Sequence, residues 1–256
     1  MKYTQDIPWY KNDYLSQEWT KEESAHYFFY FQKNSLAEKD IKVIVDSKEK
    51  QYSKIITWLE VDNNKKIDYY LYPSIREKNI VMGDDSPGNA IWQELDNIGG
   101  QFMSKKFEIH IVYSEKCKFI GEHEDTHLLS LPWGLSIYLF CEGLAQYMEN
   151  NFMGIDLHIS AKRLLNENKL YPIEWLCDNN NWETVQPTII YPQVGSFVKF
   201  IIENYGKEKF KEVYQKTSRN INFSENLTAI EKVYSKTIDQ LGDEWINYIK
   251  NIGNES

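Results

Sequence analysis

The sequence is poor in cysteine, proline and glycine, with 3, 7 and 12 of these among 256 residues. Because the cysteines are odd in number and widely spaced, they build neither a disulfide framework nor a CxxC zinc knuckle. We expect Cys117, Cys141 and Cys177 to be free thiols in a reducing compartment. Hydrophobic residues make up 42% of the chain and aromatic residues 15%, which excludes a disordered, collagen-like or coiled-coil protein.

Basic clusters and long apolar runs are also missing. Acidic residues outnumber basic residues by 38 to 29, and no Lys/Arg block is long enough to follow a phosphate backbone. The longest uncharged apolar-rich stretch, residues 128–141, is too short to span a bilayer. Residues 1–14 lack the apolar core of a signal peptide. We therefore predict no nucleic-acid partner, no membrane partner and a cytoplasmic location.

Apolar periodicity predicts that strands come first and helices follow. Strand-like segments lie at residues 24–31, 67–72 and 107–113, a helical pattern covers 36–59, and residues 83–89 are turn-rich. Helical spacing then covers residues 119–151, 157–168, 194–204, 207–217 and 229–249. This order is typical of an α+β protein. We predict an irregular arm at residues 1–23, a mixed α+β lobe at 24–131 and a helical lobe at 132–250, which together form one catalytic unit.

An HExxH motif lies in the first of the later helical stretches. His123 and His127 are four residues apart, so on a helix their imidazoles project from one face. Glu124 follows His123 directly, so its side chain projects from the helix in a different direction from the two imidazoles. The alternative is that both histidines are ordinary helix residues among acidic neighbours.

Glu142 is the only charged residue between Leu128 and Met148. An isolated carboxylate in an apolar run is costly unless it is paired or bound to a metal ion. If residues 131–134 form the turn of an αα-hairpin, a rise of about 1.5 Å per residue returns Glu142 to a level between the two histidines. Two His and one Glu leave a fourth position for water, as in catalytic zinc sites. The alternative is a carboxylate that pairs with a lysine.

The motif followed by residues 141–149 resembles the gluzincin zinc metallopeptidases, the superfamily of thermolysin and aminopeptidase N, and especially its smaller peptidase MA-like members. The similarity continues through residues 191–206 and 229–245. It implies a zincin-like fold, in which a mixed N-terminal lobe contains a small sheet and the active-site helix and the C-terminal lobe is helical. The interval between the motif and Glu142 is shorter than in thermolysin and the large aminopeptidases, so their connecting loop cannot be carried over.

The resemblance implies one Zn²⁺ per chain, bound by His123, His127 and Glu142, with Glu124 as catalytic base. It maps Tyr191 onto the tyrosine that stabilises the oxyanion, although a core or surface tyrosine is an equal alternative. The expected function is a zinc-dependent metallopeptidase that hydrolyses peptide or protein substrates with metal-activated water. The alternative is a zincin-fold binding or regulatory protein without turnover.

Three further expectations concern residues near the proposed site. Pro192 predicts an extended backbone at Tyr191 and a helix that begins near Val194 or Gly195. His110 is expected to be a partly buried strand residue, and His158 an exposed one. If Tyr191 is not the oxyanion donor, it would be sought among Tyr138, His158 and Tyr171.

Overall fold

The computed structural model describes residues 19–98 and 101–252, and for residues 93–98 and 101–105 it describes the backbone alone. The chain divides into two units on either side of the Pro132–Trp133 bond. The first unit contains a mixed sheet with helices, and the second is mostly helical. The predicted α+β class is confirmed. The three cysteines are free, as predicted.

A mixed sheet forms the centre of the first unit. Its strands are β1 (Trp19–Glu23), β2 (Tyr27–Gln32), β3 (Ile67–Tyr72), β4 (Gly88–Ile98), β5 (Gln101–Ser114) and β6 (Cys117–Lys118). The order is β1-β2-β3-β5-β4, with β6 paired to β5. β2, β3 and β5 run parallel, while β1 and β4 pair antiparallel with β2 and β5. Within the described part of the chain, β4 is therefore an edge strand with β5 as its one partner strand.

Helix α1 (Leu36–Leu59) connects the parallel strands β2 and β3 and matches its predicted bounds. The Ser35 side chain accepts a hydrogen bond from the Glu38 backbone N–H, which caps the helix start. Its buried residues recur at helical spacing and include one charged residue: Ala37, Ile44, Lys48, Tyr52, Ile55 and Leu59. β3 also has its predicted bounds.

Two parts of the first unit differ from the sequence predictions. Residues 19–23 of the predicted arm form β1, because a turn in which the Ser24 N–H donates to the Tyr27 carbonyl (3.0 Å) folds them against β2. Residues 1–18 of that arm lie outside the described residues. Helix α2 (Ile75–Met82) was not predicted, because its eight residues bury only Lys78, Val81 and Met82 and show no clear period.

The predicted helical stretch at residues 119–151 is interrupted. It contains α3 (His123–Leu129), a 3₁₀ helix (Leu131–Trp133) and α4 (Tyr138–Glu149). Pro132 lacks a backbone N–H, and Gly134 has a φ of 104°, so the chain cannot continue as one α-helix.

After α4, the second unit contains one short hairpin and six further helices among its described residues. The hairpin pairs β7 (Asn151–Phe152) with β8 (Ile155–Asp156). The helices are α5 (Leu157–Asn166), α6 (Ile173–Leu176), α7 (Pro187–Tyr205), α8 (Lys207–Lys216), α9 (Phe223–Tyr234) and α10 (Ile238–Asn251), with a 3₁₀ helix at Asn179–Glu183. The predicted helix at residues 229–249 is divided at Ser235, which has a φ of 54°. No described helix combines the length and the apolar character needed to cross a bilayer.

Helices α4 and α7 approach each other closely. A Cβ placed on Gly143 would lie 2.3 Å from Val198 Cγ2, and one placed on Gly195 would lie 2.6 Å from Gln146 Cγ. Glycine at both positions permits this contact, which fixes the segment of α4 that contains Glu142.

Candidate metal centre

The structure brings together the three residues that spacing predicted as metal ligands. One ligand atom from each of His123, His127 and Glu142 lies within 4.8 Å of the other two. The imidazole rings are edge to face, with centroids 4.9 Å apart. His123 and Glu142 are each 7% exposed, and His127 is half-buried. The cluster therefore consists of three neighbouring donor side chains, two of them buried and one half-buried.

The donor set fits Zn²⁺. Imidazole nitrogen and carboxylate oxygen are its usual protein ligands, at distances of about 2.0–2.2 Å. Three protein ligands leave a coordination position for water, the arrangement found in catalytic rather than structural zinc sites.

Glu124, the predicted general base, is buried beside the start of the edge strand β4. A Cβ placed on Gly88 would come within 2.8 Å of Glu124 Oε1 and 2.7 Å of Phe119 Cε1. Sequence reasoning missed this role of Gly88 because it placed residues 83–89 in a turn. The signal was the glycine at the junction between the turn and the following Asn-Ala-Ile-Trp segment.

A buried lysine fixes the turn that precedes β4. The Lys78 ammonium lies 3.1 Å from Asp84 Oδ1 and 3.2 Å from Ser86 Oγ. Ser86 Oγ lies 3.0 Å from the Gly88 carbonyl, to which it donates. Burial lowers the pKa of Lys78, while Asp84 and, more weakly, Glu124 oppose that effect. The network therefore holds Gly88 and places a cation in the electrostatic environment of Glu124.

A second charged cluster contacts the motif helix through Asp125. The Lys48 ammonium donates to the Asp125 carboxylate and to the Gly121 carbonyl (3.0 Å), and the Tyr27 hydroxyl donates to Asp125 (2.5 Å). Burial raises the pKa of the Asp125 carboxyl, and the Lys48 ammonium opposes it. Sequence reasoning missed this cluster, although a lysine on the apolar face of α1 was a signal.

Tyr191 lies in the second turn of α7 and is half-buried. The prediction of an extended backbone there is wrong, because α7 begins at Pro187 and contains Pro192. The buried residues Ile190, Val194 and Phe197 continue the helical spacing across Pro192, so their packing outweighs the lost backbone hydrogen bond. The proposed role of Tyr191 as oxyanion donor stays a prediction.

His110 and His158 are both buried, and neither is part of the cluster of His123, His127 and Glu142. His110 lies on a strand, β5, as predicted, but it is fully rather than partly buried, with Nδ1 2.8 Å from the Tyr72 hydroxyl. His158 is 4% exposed, so the prediction of exposure is wrong. The Asp156 side chain caps α5 and accepts from the His158 backbone N–H, which places the ring 2.8 Å from Ser196 Oγ on α7.

Tyr138 and Tyr171 are the other two residues predicted as alternative oxyanion donors. Tyr138 is buried, and the Arg219 guanidinium lies 4.0 Å from its ring centroid. Tyr171 stacks on Trp175 with 5.3 Å between ring centroids. Neither contact assigns these phenols to the metal centre.

Comparison with models of known protein families and with curated proteins gives no match to this chain. The geometry of the site is therefore the basis for a functional assignment.

Proposed function

We propose that this protein is a zinc-dependent metallopeptidase of the gluzincin type. The observation that carries the proposal is the convergence of His123, His127 and Glu142, with the carboxylate of Glu124 next to the first ligand in the chain. A zincin-like fold is part of the proposal, since the motif helix follows a mixed sheet and Glu142 lies on the next α-helix. A cytoplasmic location belongs to it as well and agrees with three free cysteines.

Each residue of the proposed site would have its own role in the hydrolysis. His123, His127 and Glu142 would hold Zn²⁺, which supplies a water molecule with a lowered pKa when bound. Glu124 accepts a proton as the water oxygen adds to the peptide carbonyl carbon. The same carboxyl then gives that proton to the leaving amine as the C–N bond breaks. Tyr191 would donate a hydrogen bond to the carbonyl oxygen as negative charge develops there.

The edge strand favours a peptide as the substrate. Edge strands bind extended peptides through backbone hydrogen bonds, and β4 has such an edge in the described part of the chain. Because Gly88 at the start of β4 lies against Glu124, a peptide added to this edge would pass beside the general base. This arrangement supports peptide-bond hydrolysis over other metal-assisted hydrolyses.

The test is cleavage of a mixed peptide library, followed by mass spectrometry. We expect the zinc-loaded protein to cleave peptides and the chelated protein not to. Glu124→Gln should retain zinc but lose about 10²–10⁴-fold in rate, because the amide cannot accept the proton. Glu122→Gln is the matched control: Glu122 lies at the N-cap of the same helix and pairs with Lys54 (3.0 Å), so its loss should leave the rate unchanged.

Two outcomes would contradict the proposal. Cleavage by Glu124→Gln at the parent rate would remove Glu124 as the base. Zinc binding without cleavage of any library member would favour the alternative of a binding or regulatory protein without turnover.

A further inference from the structure

A buried ion cluster joins α1 and β2 to the middle of the HExxH motif. It consists of Lys48 on α1, Tyr27 on β2, Asp125 on α3 and the carbonyl of Gly121. The side chains of Lys48 and Asp125 are both 0% exposed. Asp125 lies between the two histidine ligands in the sequence and follows Glu124 directly.

Stability alone does not explain this cluster. A buried ion pair is on balance no more stabilising than apolar residues of similar volume, because both ions lose their hydration. Lys48 lies on the apolar face of α1 between Ile44 and Tyr52, where an aliphatic side chain would pack without that penalty. A hydrogen-bonded ion pair has a preferred geometry, whereas the hydrophobic effect is non-directional. The cluster can therefore fix the orientation of the elements that it joins.

The motif helix α3 depends on contacts outside the helix for its orientation. α3 has seven residues and no side-chain hydrogen bond at its N-cap, and so short a helix is marginal by itself. Lys48 binds the carbonyl two residues before His123 and the carboxylate two residues after it. Rotation of α3 about its axis would break the bonds from Lys48 and Tyr27 to Asp125.

We propose that Lys48 and Asp125 are positioning residues that fix the rotation of α3 and thereby aim the His123 imidazole and the Glu124 carboxylate. This inference rests on the zinc site of the proposed function. Neither residue would touch substrate or metal, and each would act through the ligand helix.

The test replaces both charges in Lys48→Met/Asp125→Leu and follows Co²⁺ bound in place of zinc by its visible absorption. We expect the double variant to fold with an unfolding midpoint somewhat below that of the parent. Apolar residues replace the ion pair, but the Tyr27 hydroxyl and the Gly121 carbonyl each lose one hydrogen-bond partner. Its zinc affinity should fall about 10-fold or more, as for other residues that orient ligands, and its Co²⁺ spectrum should change. The loss in kcat should exceed any change in KM.

Lys54→Met is the matched control. Lys54 also joins α1 to the region of α3 through Glu122, but its side chain is 49% exposed. Since an exposed pair does not fix rotation, this variant should have the spectrum and zinc affinity of the parent.

The outcomes separate this inference from the proposed function. A parent protein that binds neither Zn²⁺ nor Co²⁺ overturns both. A parent that binds Co²⁺, with a folded double variant of identical spectrum and affinity, overturns the positioning role and leaves the metal site standing. If the double variant does not fold, Tyr27→Phe serves instead, since it removes one hydroxyl from the cluster. Its spectrum should change in the same direction to a smaller extent, and an unchanged spectrum would overturn the inference.

Discussion

Gly88 and Glu124 are in such close contact that no side chain fits between them. A Cβ placed on Gly88 would approach Glu124 Oε1 to 2.8 Å. The backbone of Gly88 does not require glycine for its φ angle, because Gly88 is absent from the glycines with positive φ in the structure. Glycine at this position therefore serves the close approach of the edge strand to the proposed general base.

Gly88→Ala should impair catalysis more than stability. The groups that the new methyl meets are the end of the Glu124 side chain and the edge of the Phe119 ring, which can move. The carboxylate would shift from its place, and such misplacement lowers kcat by roughly 10²-fold. Zinc affinity should change little. Steady-state kinetics and zinc titration of the same preparation measure both quantities.

Gly242→Ala on α10 is the control for this variant. A Cβ there makes ordinary contacts of 3.4 and 3.5 Å with Ile173, and alanine favours a helix by about 1 kcal/mol over glycine. We expect unchanged kcat and equal or higher stability. If Gly88→Ala has the kcat of the parent, the contact does not constrain the base.

The cluster of His123, His127 and Glu142 predicts one zinc ion per chain. Elemental analysis of protein purified without chelator should find close to one equivalent, and zinc should raise the unfolding midpoint of metal-free protein. At 100-fold excess over Kd the gain is about 2.7 kcal/mol. His123→Ala, His127→Ala and Glu142→Ala should each lose both effects.

The control is an imidazole outside the cluster. His26 is 36% exposed and bonds Glu49, so His26→Asn should bind zinc like the parent. Metal-free parent protein that cannot be reloaded with zinc would refute the site.

The convergence of His123, His127 and Glu142 was predictable because their spacing in the sequence is local. His123 and His127 share one helix, and the turn at residues 131–134 returns Glu142 to their level, although this turn includes a 3₁₀ helix that sequence periodicity did not reveal. α1 was predictable for the same reason, since its apolar period extends over 24 residues.

The supports of the site were not predictable from local pattern. Lys48 on α1 and Asp125 on α3 are 77 residues apart in the sequence. No rule of residue spacing predicts a contact between two helices at that separation. The helix through Pro192 was predicted wrongly because buried neighbours on both sides of the proline outweigh its local preference. Tertiary packing determines these features, and a short segment of sequence does not show which distant residues pack against it.

Tyr191→Phe tests the oxyanion donor. If the phenol donates to the carbonyl oxygen mainly in the transition state, kcat should fall by roughly 10²-fold while KM and zinc affinity change little. Tyr205→Phe is the control, because Tyr205 is the last residue of the same helix and its hydroxyl accepts a hydrogen bond from the Lys236 ammonium (2.9 Å). Equal kcat values for Tyr191→Phe and the parent would rule out this role.

His158 should make the stability of the protein depend on pH. Its ring lies 2.8 Å from Ser196 Oγ and 3.4 Å from Glu203 Oε2, and Trp245 Nε1 donates to the same Ser196 oxygen (2.9 Å). Burial lowers the pKa of His158 below its ordinary value of 6.5, and Lys199 adds to this effect while Glu203 and Asp156 oppose it.

The sign of the effect follows from proton binding. Below pH 6.5 the unfolded chain binds a proton at His158 before the folded chain does, so the stabilising contribution of the neutral ring is present above pH 6.5 and is lost as the pH falls toward the lower folded pKa. His158→Asn keeps a polar atom near Ser196 but does not titrate. At roughly pH 8 it should reduce the free energy of unfolding by about 1–2 kcal/mol, and this difference from the parent should shrink as the pH falls to roughly 5. Urea unfolding of metal-free parent and variant at several pH values measures the difference, in which the titration of all other shared groups cancels. A difference that stays constant across that range would show that His158 has the same pKa in the folded and unfolded chain.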